Sequence, residues 1–346
     1  MKTFISISLL TIVILISWIG TNSLNHSKTI VHDDEQSGLG EQIVIRFSHV
    51  VAENTPKGLA AQKFAELVEH KTNGKIRVEV YPNGILYSDG EEVDALVNGD
   101  IQIIAPTFSK MTAYAPEWKV LDLPFLFEND DHVEKVFNGA IGKELLLKLD
   151  DPNMQALAFW SNGFKQMTSN TRPLVTPDDF RHLRFRVMPG SVIQNQFNLL
   201  GAETTPQEFN NVYRSLEHHE VDGQENTISN IYSKGLYKVQ THLTLSNHGY
   251  LGYAVIINSK FWNNLTPKQQ QQIYSALAET TKWIQAESRQ MNAKQLEEIK
   301  NNSSIQIHSL TSEQKQLWKN TFSPLYQDLI TEIGSKSIDK INKEKP

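Results

Sequence analysis

After Pro267 the chain runs to Asn301 with no further glycine or proline. At 1.5 Å per residue a helix of that length reaches about 50 Å, more than the diameter of a small domain. Such a helix either projects into solvent or lies across two domains. Tyr274, Leu277, Ile284, Met291 and Ile299 are spread along its whole length. Apolar side chains at both ends need cover at both ends, so the pattern predicts a helix lying across two lobes. A chain of 346 residues is long enough for two.

The segments before this helix alternate between short apolar strands and amphipathic helices. "IVIRFS" (43–48) predicts a strand. "TPKGLAAQKFAELVEH" predicts a helix with Thr55 as cap, Pro56 at its first position, and Ala60, Phe64, Leu67 and Val68 as its apolar stripe. "KIRVEVYP" (75–82) alternates as a strand does, "DGEEVDALVNGD" (89–100) reads as a short helix stopped by Asn98-Gly99, and "IQIIAP" (101–106) as a buried strand. This βαβαβ rhythm implies a largely parallel sheet covered by helices. A second unit begins near residue 156. "ALAFWSNGFKQMTSN" (156–170) supplies one or two strands, "LRFRVMP" (183–189) another, and "SVIQNQFNLLGA" a helix ended by Gly201. "TPQEFNNVYRSLEHHE" carries a capping-box pattern at Thr205 and Glu208 and predicts burial of Phe209, Val212, Tyr213 and Leu216. "GYAVIIN" (252–258) returns to buried strand character.

Composition excludes several function classes. The 33 basic and 39 acidic residues leave a net charge of −6, which disfavours a nucleic-acid partner, because phosphate neutralisation needs a basic surface. With no cysteine there are no disulfides, thiol nucleophiles or thiolate metal sites. Met1-Lys2 and the apolar run Phe4–Ile19 read as a signal peptide or an uncleaved N-terminal anchor over 1–23. Either expectation puts the remainder outside the cytoplasm. Residues 24–42 are polar and aperiodic, as a linker is.

No catalytic constellation stands out. His218, His219 and His248 lack metal-ligand spacing, and no GxSxG, P-loop or GxGxxG occurs; no cofactor is expected. In "LRFRVMPG", Leu183, Phe185 and Val187 point to one side of a strand, so Arg184 and Arg186 share the other. A solvated strand face is the ordinary reading, above all for Arg184. Arg186 lies nearer the carboxyl end of the strand, where α/β folds bind ligands, and its fork suits a carboxylate. Lys57 sits in the first turn of its helix, against the macrodipole. It either points at water or, with the helix amino end, faces an anion. Lys165 follows an Asn-Gly turn and says little alone. Trp160 and Phe164 bracket a possible cleft loop. In "EVDGQENTISN" (220–230), Asp222 and Glu225 could be the paired carboxylates of a secreted hydrolase. Three residues apart, they fit better as caps and charges at the start of a helix "ENTISNIYS". Asn226 either meets something in a cleft or caps that helix.

The ordered motifs "NTPKG" (54–58), "KIRVEVYPNGILYSDGEEVDALVNGDIQIIAPTFSK" (75–110), "LDLPFLF" (121–127), "FWSNGFKQMTSN" (159–170), "RFRVMPGSVI" (184–193), "LGAETTPQEFNNVY" (200–213) and "VDGQENTISNIYSKGLYKVQTHLTLSNHGYLGYAVIINSKFWNNL" (221–265) resemble the DctP-type solute-binding proteins. These are the extracytoplasmic receptors of tripartite ATP-independent periplasmic (TRAP) transporters. The resemblance covers about residues 43–335, and "TPKG", "NGFK" and "SNHGYLGYAV" look most like the branch that binds four-carbon dicarboxylates. It implies an α/β, two-lobed, periplasmic-binding-protein-like fold with hinge strands and a long helix spanning both lobes. The expected division is 43–163 plus 252–291 for lobe I and 164–251 plus 292–340 for lobe II. The resemblance further implies a ligand-binding set. Arg186 matches the arginine that pairs with the ligand carboxylate. Lys165 matches the position where the family's sialic-acid receptors carry a second arginine, and Asn226 matches the amide that meets the ligand. Thr107 falls at a polar pocket position where the dicarboxylate branch commonly has serine, and Lys57 falls in the loop-to-helix position facing the cleft. The implied function is non-enzymatic capture of succinate, fumarate or malate by lobe closure. The implied partners are permease subunits of a TRAP system or, alternatively, a membrane sensor kinase, with the receptor itself a monomer.

Overall fold

The structure is a computed structural model that describes residues 42–346; the signal-or-anchor segment 1–23 and all of the linker but Gln42 lie outside the described residues. Ten strands are labelled in chain order. They are β1 (Ile43–Ser48), β2 (Ile76–Tyr81), β3 (Ile103–Ile104), β4 (Met154–Ser169), β5 (Arg184–Val187), β6 (Glu203–Pro206), β7 (Gly223–Thr227), β8 (His242–Leu245), β9 (Tyr250–Asn258) and β10 (Gln306–Ser309). They join in the order β2-β1-β3-β9-β4-β7-β5-β6, with β8 on β4 and β10 on β8.

The sequence-based expectation of a largely parallel sheet holds within each half and fails at the centre. β1, β2 and β3 run parallel to one another, as do β5, β6 and β7. Between them β9 is antiparallel to both β3 and β4, and β4 is antiparallel to β7. Strand β4 belongs to both halves. Its residues Met154–Phe164 pair with β9, and Lys165–Ser169 pair with β7, with β8 also alongside Met167–Ser169.

Residues 156–170 were open to reading as one strand or two with an Asn-Gly turn between. The structure has one sixteen-residue strand, and Asn162-Gly163 is a bulge in it. Gly163 adopts φ 139°, a region that L side chains rarely enter. A Cβ there would also meet the Asn292 amide at 2.8 Å. Trp160 and Phe164 accordingly lie in a strand and bracket no loop.

The long helix Pro267–Asn302 is present, opened by a capping box of Thr266 and Gln269. Its early turns pack on the helix Pro56–Lys71 and its later turns on the helix Ile228–Ser233, with β4 between them. It therefore lies against elements of both sheets. Asn292 ties them together: its amide nitrogen donates to Asn162 O at 2.7 Å, and its Oδ1 accepts from Ser229 N at 2.9 Å. Tyr274 is more than a third exposed, while Ile273, Leu277, Ile284 and Ile299 are buried.

Three local expectations yield to sheet pairing. The capping-box pattern at Thr205 and Glu208 makes no cap: Glu203–Pro206 is β6, paired with β5, and helical structure starts only at Phe209, as a 3-10 turn without a side-chain cap that leads into the helix at Val212. "IQIIAP" contributes just Ile103–Ile104 as strand. The stretch "GQENT", expected to start a helix, is the fully buried strand β7. The helix Ile228–Ser233 follows it, capped by Thr227, whose hydroxyl accepts from Asn230 N. Ladder bonds on both edges of β7 outweigh what a cap and a dipole supply locally. Among the described residues no helix is long and apolar enough to cross a membrane.

Candidate functional site

The carboxyl ends of β1, β3, β5 and β7 converge on one cavity, the position where open α/β sheets bind ligands. It has an empty volume of about 460 Å³ including its mouth. Four of the five expected ligand-binding residues line it: Lys57, Thr107, Arg186 and Asn226. Val50 and Val51, after β1, pack in one apolar cluster with Phe209, after β6; all three border the cavity.

Arg186 is 1% exposed. Its Nε and Nη2 donate to the Gln207 carbonyl at 3.1 and 2.6 Å, and Nη1 has no partner. Burial lowers its pKa to about 10, while Asp89 and Glu225 act to raise it. A buried guanidinium with no carboxylate bound to it is poorly compensated and favours an anion beside it. Its neighbour Arg184 is exposed and paired with Asp222 at 2.7 Å, so the two arginines of one strand have separate tasks.

Lys57 is just as buried. Its Nζ donates to Ala105 O at 2.9 Å and lies 4.0 Å from the centre of the Tyr253 ring. Burial pulls it down to about 8, opposed by Glu92 and Asp89. The lysine reaches the cavity because the first helical turn lies close on the preceding chain: a Cβ on Gly58 would sit 2.4 Å from the carbonyl oxygens of Ala52 and Glu53. Asn226 does not cap a helix; its Oδ1 accepts from Asn230 Nδ2 at 2.7 Å. Thr107 is half-buried at the head of the short helix Phe108–Met111, and its hydroxyl makes no capping bond there.

Lys165 differs from expectation and does not line the cavity. It is buried in mid-strand, and its Nζ is 2.7 Å from Glu225 Oε1. The other oxygen, Glu225 Oε2, is 2.7 Å from His248 Nε2, and His248 Nδ1 is 2.7 Å from Ser246 Oγ. Burial pushes Glu225 up, yet Lys165 and His248 together hold it at about 2. Asp222 and Glu225, the conceivable hydrolase pair, are thus engaged by Arg184 and Lys165, and neither lines the cavity.

Sequence reasoning passed over a further charged group. Asp89 and Lys110 line the cavity as an ion pair at 3.0 Å, and Lys110 also lies 3.6 Å from the fully buried Glu92. Burial lifts Glu92 to about 7, with Lys110 and Lys57 opposing. One signal was available. Glu92 shares a helical face with Ala95 and Leu96, at spacings of three and four, where an apolar residue is the norm. Among the described residues no cluster of three or more His, Asp or Glu could hold a metal ion.

Two sheets sharing a strand, with a cavity lined by buried cations at their strand ends, have the architecture of a solute-binding receptor. The chain belongs to family 7 of the bacterial extracellular solute-binding proteins, DctP, which matches residues 47–332. It is 50% identical over 324 residues to the C4-dicarboxylate-binding protein DctB of Bacillus subtilis, covering 94% of this chain and 93% of that protein. It is 42% identical to the C4-dicarboxylate-binding periplasmic protein DctP of Rhodobacter capsulatus, covering 87% and 90%. Among solved structures, a TRAP periplasmic solute-binding protein from Sulfurospirillum deleyianum with bound succinate superposes with a TM-score of 0.83 at 40% identity, covering 88% of this chain and 99% of that one. One from Pseudomonas aeruginosa with bound L-malate gives 0.80 at 35% identity, covering 83% and 99%.

Proposed function

We propose that this protein is the exported receptor of a TRAP-type transporter and captures a C4-dicarboxylate such as succinate, fumarate or malate. The observation that carries the reading is Arg186: buried at the cavity wall, with one guanidinium nitrogen unpartnered, across from the equally buried Lys57. One ligand carboxylate meets Arg186, the other meets Lys57, and Asn226 and Thr107 supply hydrogen bonds. Lys165 acts behind the cavity by fixing Glu225, the residue next to Asn226. Lobe I comprises 43–163 plus 252–291 and lobe II 164–251 plus 292–340. They close about the 162–163 bulge, and water exclusion strengthens the charge-assisted bonds. The closed form is what the membrane permease subunits read. The names and bound ligands of the relatives support the ligand class, and residues 1–23 act as the export signal or anchor.

The test is a calorimetric titration of the purified protein against succinate, fumarate, malate, 2-oxoglutarate, pyruvate and sialic acid. Saturable heat with the four-carbon diacids, and weaker or no heat with pyruvate and sialic acid, is expected. No heat with any of the diacids overturns the reading.

A further inference from the structure

Glu92, Lys57, Lys110 and Asp89 form a charged cluster that dicarboxylate recognition alone does not require. Glu92 opens the helix Glu92–Asn98 and has no exposed surface. Neither carboxylate oxygen has a hydrogen-bond partner. The nearest cation, Lys110 Nζ, is 3.6 Å away and lies closer to Asp89, at 3.0 Å. That separation is longer than a charge-assisted hydrogen bond, so the ionised form of Glu92 is held by proximity alone.

Every element packed around this carboxylate bears on its charge. The helix Pro56–Lys71 brings Lys57, and the helix Phe108–Met111 brings Lys110; Asp89 comes from the loop just before Glu92. Beyond them, Arg186 faces Asp89 from the other half of the sheet. His49, buried after β1 and held uncharged, faces Lys57, and Tyr253 lies under the lysine. With all acids ionised, three cations face two anions. A dianion entering that cavity leaves an excess negative charge in a place with little water to screen it.

Resting on the dicarboxylate reading above, we propose that ligand capture takes up a proton from solution, and that the proton comes to rest on the Glu92 carboxylate. The ligand carboxylate that meets Lys57 takes the place of Glu92 as its counter-ion, Lys110 stays on Asp89 at 3.0 Å, and Glu92, losing its share of Lys57, is neutralised. The sign is fixed by Coulomb's law: an arriving anion raises the proton affinity of every nearby group. Before the ligand arrives, Glu92 already titrates near 7 and Lys57 near 8, so an upward push on either draws protons in. By linkage, each proton taken up makes affinity fall as much as tenfold per pH unit on the alkaline side.

The proposal is tested by titration calorimetry of the whole protein with fumarate at about pH 7.5, where both carboxyls of this ligand are ionised, in buffers of different ionisation enthalpy. The binding heat is expected to vary with the buffer in the sense of proton uptake, up to about one proton per site. Buffer-independent heat, or heat in the sense of release, overturns the proposal while leaving the receptor reading intact; absence of any binding heat overturns the receptor reading itself. Glu92→Gln is expected to lose most of the uptake and to bind fumarate more tightly than the wild type on the alkaline side. Unchanged uptake in that variant removes Glu92 as the acceptor. Should the variant not fold, infrared difference spectra of the wild type with carbon-13 fumarate read the same event. A protonated protein carboxyl band appearing on binding is expected, and its absence refutes the assignment.

Discussion

Lys165 and Glu225 meet diagonally across the antiparallel pair β4 and β7, Lys165 lying opposite Thr227, with their charged ends 2.7 Å apart and almost without exposure. Such a pair adds little net stability against an apolar alternative, but breaking one side leaves a charge buried with reduced compensation. Lys165→Met is therefore expected to lower unfolding free energy by about 3–5 kcal/mol, read by chemical denaturation. Any affinity it loses should be equal for succinate and for a monocarboxylate of similar size. A loss confined to succinate in a variant of wild-type stability would move Lys165 back to the ligand.

Arg186→Lys keeps the charge and loses the fork. The lysine cannot both reach the Gln207 carbonyl with two nitrogens and present a third to the ligand. Affinity for succinate should fall by about 1.5–3 kcal/mol, the value of a charged hydrogen bond, with the melting temperature little changed. Titration indistinguishable from the wild type would show that Arg186 does not touch the ligand.

Acid stability should depend on His49. Burial, reinforced by Lys57, drops its imidazole from 6.5 to about 3. Between those values the unfolded chain binds a proton that the folded chain refuses, so stability falls as pH drops below 6.5. The slope from one such group is at most about 1.4 kcal/mol per pH unit. Glu92, lifted to about 7, acts in the opposite direction from pH 7 down to its ordinary value of 4.5, because there the folded chain holds the extra proton. His49→Gln should flatten the acid-side decline, measured as unfolding free energy at a series of pH values. Parallel curves for variant and wild type would show that His49 is not a buried neutral base.

Closure has a mechanical readout. Ligand at 100 times its dissociation constant adds about 2.7 kcal/mol by mass action, a few degrees in melting temperature for a chain of this size. Small-angle scattering should show a smaller radius of gyration with succinate than without. A thermal shift at constant radius would mean that the ligand binds without bringing the lobes together.

The long helix and the Thr55–Pro56 start of the earlier one were legible because capping and spacing are local properties of the sequence. Arg186 was singled out by its place near the carboxyl end of its strand, while alternation alone pointed to a solvated face and its burial was not legible. What escaped was decided by pairing between distant segments. "GQENT" carries the polar residues of a helix start, yet β4 and β5 hold both its edges. Lys165 follows an Asn-Gly pair that usually marks a turn, and here β9 runs alongside and keeps the strand continuous through a bulge. The Asp89–Lys110 pair joins residues 21 positions apart, with no motif to announce it. Glu92 was visible in principle, as an acid on an otherwise apolar helical face.

Strand β3 pairs with β9 through Ile103↔Ile257 and Ile104↔Ile256, residues separated by about 150 positions of sequence, a span that makes such contacts slow to form. As the chain is synthesised, β1, β2 and β3 wait with a bare edge until the far side of the second unit has been made. Neither half is a continuous piece of chain that could be cut out, made alone or exchanged for a relative's in one splice. Grafting a new binding wall onto this scaffold therefore means transplanting two separated segments together, with the shared strand β4 left as the common spine.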